Sequence, residues 1–308
     1  MTTETISAQM RPIDIAMLFA LSVLWGGSFF FFEILLEHWQ PLTIVTLRVA
    51  IATLFLWIFL GLSKTPLPKT MKAWVALFVV GILNNVIPFF LIVWGQTHIT
   101  AGMSSILNAT TPIFTVIVAG ALLADERITG QKLIGVIVGL IGTVVMIGPE
   151  VLVGGLTSGN AIGQLAVIGA AISYAFAGVW SRRFKTLGIT PLVIAAGQTL
   201  MATLILIPIV LMIEAPLGTL ETASQTIWAA MIGLAVFSTA FAYLLYFKLI
   251  ETAGATNASL VTFLVPISAI LLGVFFLDEE FTRSQGIGMS LIGLGLLVMD
   301  GRLFKRVT

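Results

Sequence analysis

Long apolar runs alternate with short polar breaks along almost the whole chain. Stretches of about 17 to 25 mainly apolar residues, the length a helix needs to cross a hydrocarbon core, recur at 13–36, 41–62, 72–94, 99–124, 129–147, 160–184, 191–213, 226–250, 255–277 and 284–300. The pattern predicts ten transmembrane helices. The breaks carry ordinary stop signals: Pro41, the Pro66 and Pro68 pair, the Asp125-Glu126-Arg127 turn, Gly154-Gly155, Pro191, and Pro216 with Gly218. None is long enough to hold a soluble domain. The first run is too long for the hydrophobic region of a signal peptide and reads as an uncleaved first helix.

Ten spans put odd and even loops on opposite sides, so basic residues test the count. Arg11, Lys64, Lys69, Lys72, Arg127, Lys132, Arg182, Arg183, Lys185, Lys248, Arg302, Lys305 and Arg306 all fall on the side of the N-terminus, which is 13 of the 15 basic residues. Arg283 is on the other side and Arg48 falls inside the second span. Both termini are therefore expected in the cytoplasm.

The chain also repeats itself. Pro41-Leu42-Thr43-Ile44 through Ala52-Thr53-Leu54 returns as Pro191-Leu192-Val193-Ile194 through Ala202-Thr203-Leu204, 150 residues later. Thr100-Ala101-Gly102 returns as Thr252-Ala253-Gly254, Pro112 as Pro266, Asp125-Glu126 as Asp278-Glu279, and Gly135 as Gly288, all in order. The expected domains are a first repeat over residues 1–150 (helices 1–5) and a second over 151–308 (helices 6–10). Five is odd, so the second repeat must enter the membrane from the opposite side. Inverted repeats related by an axis in the membrane plane are the usual basis of alternating access, with a solute path between the halves.

Composition narrows the picture further. The chain is 58% hydrophobic and 9% charged, against about 25% charged in soluble domains; the fold class is all-α integral membrane. A formal net charge of +1 offers nothing to a nucleic acid. With no cysteine, disulfide and thiol chemistry are excluded. His38 and His98 fall in outer loops, and two loop histidines without a carboxylate cluster make no metal site; neither a metal nor a cofactor is expected.

Trp25-Gly26, Arg48, the run from Thr100-Ala101-Gly102 through Pro112 to Asp125-Glu126, and Pro266 followed by Asp278-Glu279 resemble the EamA family of the drug/metabolite transporter (DMT) superfamily. The likeness extends from about Ile15 to Val298, and is nearest to the YddG-type amino-acid exporters, whose substrates are aromatic. It implies a ten-helix exporter of amino acids or other metabolites in a bacterial inner membrane. One departure matters: many members carry a Lys in the second half of helix 1, where this chain has Glu33, so a mechanism relying on that Lys does not carry over.

Ionisable groups inside a bilayer are costly and are functional candidates for that reason. Arg48 lies about seven residues into helix 2, roughly 10 Å below the outer surface, and Glu33 lies about one turn inside the outer end of helix 1. Arg48 either holds the fold by pairing with Glu33 or by capping carbonyls, or attracts a substrate carboxylate. Position 48 is matched by neutral Gln198 in the second repeat. Near mid-membrane the polar candidates are uncharged: Ser28, Asn84, Asn85, Asn108, Thr111, Tyr174, Ser238, Thr239 and Tyr243. Each must find a partner in hydrocarbon, either another helix or a zwitterionic solute, for which Trp25, Phe29, Phe89, Phe237 and Phe241 offer an apolar wall. Trp39, Trp57, Trp74 and Trp228 fit an interfacial belt. Pro88, Pro112 and Pro266 are candidate hinges or packing kinks. The glycine-rich helices 5 and 10 read as packing helices.

The expected function is export of amino acids, aromatic or otherwise neutral, or of related small metabolites. The partners are that solute and the lipid bilayer, and the expected state is a monomer, since two fused repeats supply both halves of the path. The alternatives are a multidrug exporter, which the shortage of mid-membrane acids argues against, an intramembrane enzyme, for which no buried catalytic pair exists, and a channel. With Glu33 the one plausible titrating acid in the path, gradient-driven export is expected over obligatory proton exchange.

Overall fold

The computed structural model describes residues 10–123, 129–148, 153, 161–276 and 281–300. Its elements are α1 (Pro12–Leu36), α2 (Pro41–Leu62), α3 (Met71–Gln96), α4 (Ala101–Asn108), α5 (Thr111–Leu122), α6 (Gly130–Ile147), α7 (Ala161–Ser181), α8 (Pro191–Ile213), α9 (Gln225–Ser259), α10 (Val261–Phe276) and α11 (Arg283–Asp300), with single helical turns at Arg183–Thr186 and Leu217–Glu221. There is no strand among the described residues. Among the described residues, eight helices are long and apolar enough to cross a membrane: α1, α2, α3, the run Met103–Leu122, α6, α7 with its following turn, α8 and α9. Apolar side chains face outward, with Leu62 77% and Met212 85% exposed, while Arg48, Asn84, Asn85, Gln198, Thr199 and Thr239 are buried. That distribution suits a surface of lipid tails.

Helix ends follow the sequence signals. Pro41 and Pro191 open α2 and α8 in their first turns, where no N–H is needed. Thr70, Thr100, Thr129 and Ser224 cap α3, α4, α6 and α9 with side-chain oxygens. The residues Asp125-Glu126, Gly154-Gly155 and Asp278-Glu279 lie outside the described residues.

Two spans depart from the expected outline. The single helix expected over 99–124 is two, α4 and α5, separated by a turn at Ala109 and Thr110. Pro112 has no N–H to continue the ladder and is accommodated in the first turn of α5. The freed carbonyls of Leu107 and Asn108 are taken at 2.6 Å by the hydroxyls of Thr110 and Thr111. Pro112 thus starts a helix, whereas its matched Pro266 sits inside α10. In α9 the backbone breaks at Gly254, at φ 87° and ψ 167°, a conformation open to glycine alone. The chain changes direction where 226–250 was expected to give way to 255–277.

The halves meet along matched helices. α2 packs on α8, and α6 on α11. Thr53 and Thr203, counterparts in the repeat, face each other with hydroxyls 3.2 Å apart. A Cβ on Gly142 would lie 2.9 Å from the Gly288 carbonyl, and one on Gly295 would lie 2.6 Å from the Gly135 carbonyl. The α6–α11 seam is therefore backbone against backbone, as expected of small-residue packing in lipid.

Candidate functional site

Both α3 and α9 widen at mid-helix into a π-helical turn, over Ile82–Val86 and Val236–Phe241. A wide turn releases carbonyls from the helical ladder, and in hydrocarbon each needs another donor. In α3 the Leu83 carbonyl accepts from the Ser173 hydroxyl at 2.7 Å, and the Asn84 carbonyl accepts from the Tyr243 hydroxyl at 3.2 Å. In α9 the Ser238 carbonyl accepts from Arg48 Nη2 at 3.2 Å, and the Leu234 carbonyl accepts from the Thr239 hydroxyl at 3.1 Å. The two turns join α2, α3, α7 and α9 around the centre of the molecule.

That centre is hollow. A cavity with an open mouth is bounded by α1, α2, α3, α4, α5, α7, α9 and α10. Its walls are aromatic: Trp25, Phe32, Phe89, Tyr174, Tyr243 and Tyr246, and these include all three tyrosines of the chain. Trp25 and Tyr246 have ring centroids 5.4 Å apart, and Phe89 lies parallel to Tyr243 at 6.4 Å. Polar groups interrupt the walls at Ser28, Arg48, Asn108, Thr111, Thr115, Ser259 and Thr262.

Trp25 and five of the nine polar candidates, Ser28, Asn108, Thr111, Tyr174 and Tyr243, line the cavity. Asn84, Asn85 and Ser238 stand behind it. Tyr243 donates its hydroxyl to Asn85 Oδ1 at 2.7 Å, Asn84 donates to Gln198 Oε1 at 3.1 Å, and Ser238 serves through its carbonyl. Ser28 and Asn108 line the cavity, and their buried Oγ and Oδ1 have no hydrogen-bond partner among the described residues.

Arg48 is 4% exposed. It donates Nε to the Thr239 hydroxyl at 2.7 Å, and its guanidinium lies 3.7 Å from the Phe89 ring centroid. Ion pairs among the described residues are Arg11 with Asp14 and Lys248 with Glu251, and none includes Arg48. The side chain of Glu33, its expected partner, lies outside the described residues, as does that of Phe29.

Several expectations are corrected. Phe237 and Phe241 are 55% and 49% exposed and stack on each other away from the cavity, because the wide turn rotates them outward while Ser238 and Thr239 turn in. Trp39 is buried against its neighbours, and its indole donates to the Thr219 carbonyl at 3.3 Å. Trp57 donates to the Ala196 carbonyl of α8 at 3.0 Å. Pro88 follows directly on the π-helical turn of α3.

Sequence reasoning missed Phe32, Tyr246, Thr115, Ser259 and Thr262 as lining residues. Helical spacing carried a signal for three of them: Phe32 is four residues from Ser28, Thr115 four from Thr111, and Tyr246 three from Tyr243, each pair sharing a face. Ser259 and Thr262 follow the Gly254 break, which periodicity does not register. No group of three or more metal-ligating side chains occurs among the described residues, and the His98 ring lies 4.4 Å from that of Trp94, tilted by 47°.

Comparison with known proteins gives a consistent family. The profile of the EamA-like transporter family matches this chain twice, over residues 13–148 and 161–299. An uncharacterized transporter of Bacillus subtilis, YoaV, is 25% identical over 283 residues, covering 91% of this chain and 94% of its own length. The uncharacterized inner membrane transporter YedA of Escherichia coli K12 is 26% identical over 302 residues, covering 94% and 91%. Protein PecM of Dickeya dadantii is 26% identical over 285 residues, covering 92% and 91%. A solved crystal structure shares the fold with a TM-score of 0.74 at 19% identity, over 97% of this chain and 100% of that one.

Proposed function

Because the chain belongs to the EamA-like transporter family, we propose that it exports amino acids, aromatic or otherwise neutral, or related small metabolites across a bacterial-type inner membrane. The observation that carries this reading is the central cavity, where aromatic walls alternate with the unpartnered Ser28 Oγ and Asn108 Oδ1. An apolar pocket with a few convergent polar groups is the usual form of a small-solute site.

The working architecture is ten spans as two inverted repeats, residues 1–150 and 151–308, with both termini cytoplasmic and a monomer as the transporting unit. Support comes from the double match of the family profile and from contacts that read the same in both directions. Gly135 meets Gly295 and Gly142 meets Gly288; the offset of 153 residues that takes Gly135 to Gly288 also takes Gly142 to Gly295, so each contact is the other with its members exchanged, the signature of a two-fold axis. Alternating access would open the cavity to one side and then the other, with Pro88, Pro112 and Pro266 absorbing the bending. A multidrug exporter of cations is disfavoured, since no described lining residue is acidic.

Counterflow of labelled neutral amino acids, Phe, Trp, Met and Thr, into preloaded proteoliposomes tests the reading. Saturable exchange above empty liposomes is expected and should be independent of an imposed proton gradient. No exchange with any solute of the panel would overturn amino-acid export, and strict proton dependence would overturn the uncoupled mechanism.

A further inference from the structure

Arg48 is a buried cation that borders the cavity without a described counter-charge. Removing a charge from water costs several kcal/mol unless an opposite charge and hydrogen bonds replace the hydration. Two of its donors are engaged, Nε with Thr239 and Nη2 with the Ser238 carbonyl, and Phe89 covers one guanidinium face. The Nη1 edge makes no hydrogen bond among the described residues. Nη1 and the second N–H of Nη2 form the end-on fork that matches the two oxygens of a carboxylate.

We infer that this cavity selects its solutes by a carboxylate paired with Arg48, and that the ammonium group of an amino acid is dispensable. The preferred class is apolar, and above all aromatic, monocarboxylates, bound with the carboxylate on Arg48 and the body against the aromatic wall of Trp25, Tyr243 and Tyr246. The inference rests on the transport reading above, since it names the chemistry of the solute at that site.

Charge balance decides between an anion and a zwitterion. A monoanion neutralises Arg48, whereas a zwitterion leaves one positive charge in a low-dielectric space. Among the described residues of the lining there is no Asp or Glu to receive an ammonium. The unpartnered Asn108 Oδ1 accepts an N–H or O–H from the solute without requiring that donor to be charged. The opposing repeat has Gln198 at the position matching Arg48, and it is occupied with Asn84; the cavity therefore has one anion anchor, suited to one carboxylate.

The test is a series of one skeleton: 3-phenylpropanoate, phenylalanine and phenethylamine. Each is titrated against purified protein by quenching of tryptophan fluorescence and, separately, assayed by counterflow in proteoliposomes. The expected order is 3-phenylpropanoate at least as tight as phenylalanine, with phenethylamine failing to compete. Arg48→Gln should weaken 3-phenylpropanoate by about 10- to 100-fold, the range of a charge-assisted hydrogen bond, and Arg48→Lys should recover part of that loss. The wild-type series stands by itself if either variant fails to fold. Tighter binding of phenethylamine or of phenylalanine than of 3-phenylpropanoate would overturn the inference while leaving transport intact. Binding in the expected order without counterflow of any solute would overturn the transport reading and leave the anion site standing.

Discussion

Tyr243 shows how a single hydroxyl joins the shape of the site to the fold that carries it. Its ring forms part of the cavity wall, its hydroxyl closes on Asn85 Oδ1 at 2.7 Å, and its side chain is 1% exposed. Tyr243→Phe keeps the wall and removes the bond, leaving the amide oxygen of Asn85 without its donor. Membrane hydrogen bonds are worth less than the isolated bond suggests, so the expected loss is about 1 kcal/mol. A drop of a few degrees in detergent melting temperature checks it, with substrate affinity reduced only slightly; no change in melting would show the bond to be energetically idle. Ser28 and Asn108 lie at the opposite extreme, each with a buried side-chain oxygen that has no hydrogen-bond partner among the described residues.

Among the helices, the cavity and the α6–α11 seam divide the labour. The cavity-lining helices α3 and α9 are irregular, each with a wide turn whose carbonyls bond neighbouring helices. The seam is regular, and its glycines let backbones touch. Gly142→Leu places a branched side chain where a Cβ alone would lie 2.8 Å from the Ile292 amide nitrogen, forcing the helices apart. A loss of several kcal/mol is expected, in the range of large overpacking effects. Gly293→Leu on α11, where a Cβ meets nothing within 4 Å, is the matched control and should melt as wild type. Thermal unfolding of the pair in detergent separates the outcomes, and equal melting would contradict the close seam.

For the molecule as a whole, helix positions, helix ends and the cavity's approximate residue set were legible in sequence because bilayer thickness and helical period constrain them directly. The wide turns were not. A π-helical turn adds one residue to a repeat that local pattern cannot register, and it sent Phe237 and Phe241 outward against expectation while turning Thr239 toward Arg48. The break between α4 and α5 is half-visible in Pro112, which marks a hinge or a packing kink in the sequence but not the division of one span into two helices. The part played by Arg48 was left open between a fold-holding pair and a solute anchor, because sequence alone does not show which neighbours a buried cation has.

Arg48 also gives the carrier an electrical asymmetry. With a monocarboxylate bound the site is neutral, and without one it carries a charge through part of the membrane field. A full elementary charge is worth about 2.3 kcal/mol per 100 mV, so a voltage negative inside draws the empty site toward the cytoplasm, where the proposed export would load its solute. Net efflux of 3-phenylpropanoate should therefore speed up when a potassium diffusion potential is imposed, while one-for-one exchange, which never returns an empty site, should not respond. Equal acceleration of both would mean that the charge is compensated in the empty state. On this view the resting membrane voltage resets the transporter after each delivery, without a coupled ion.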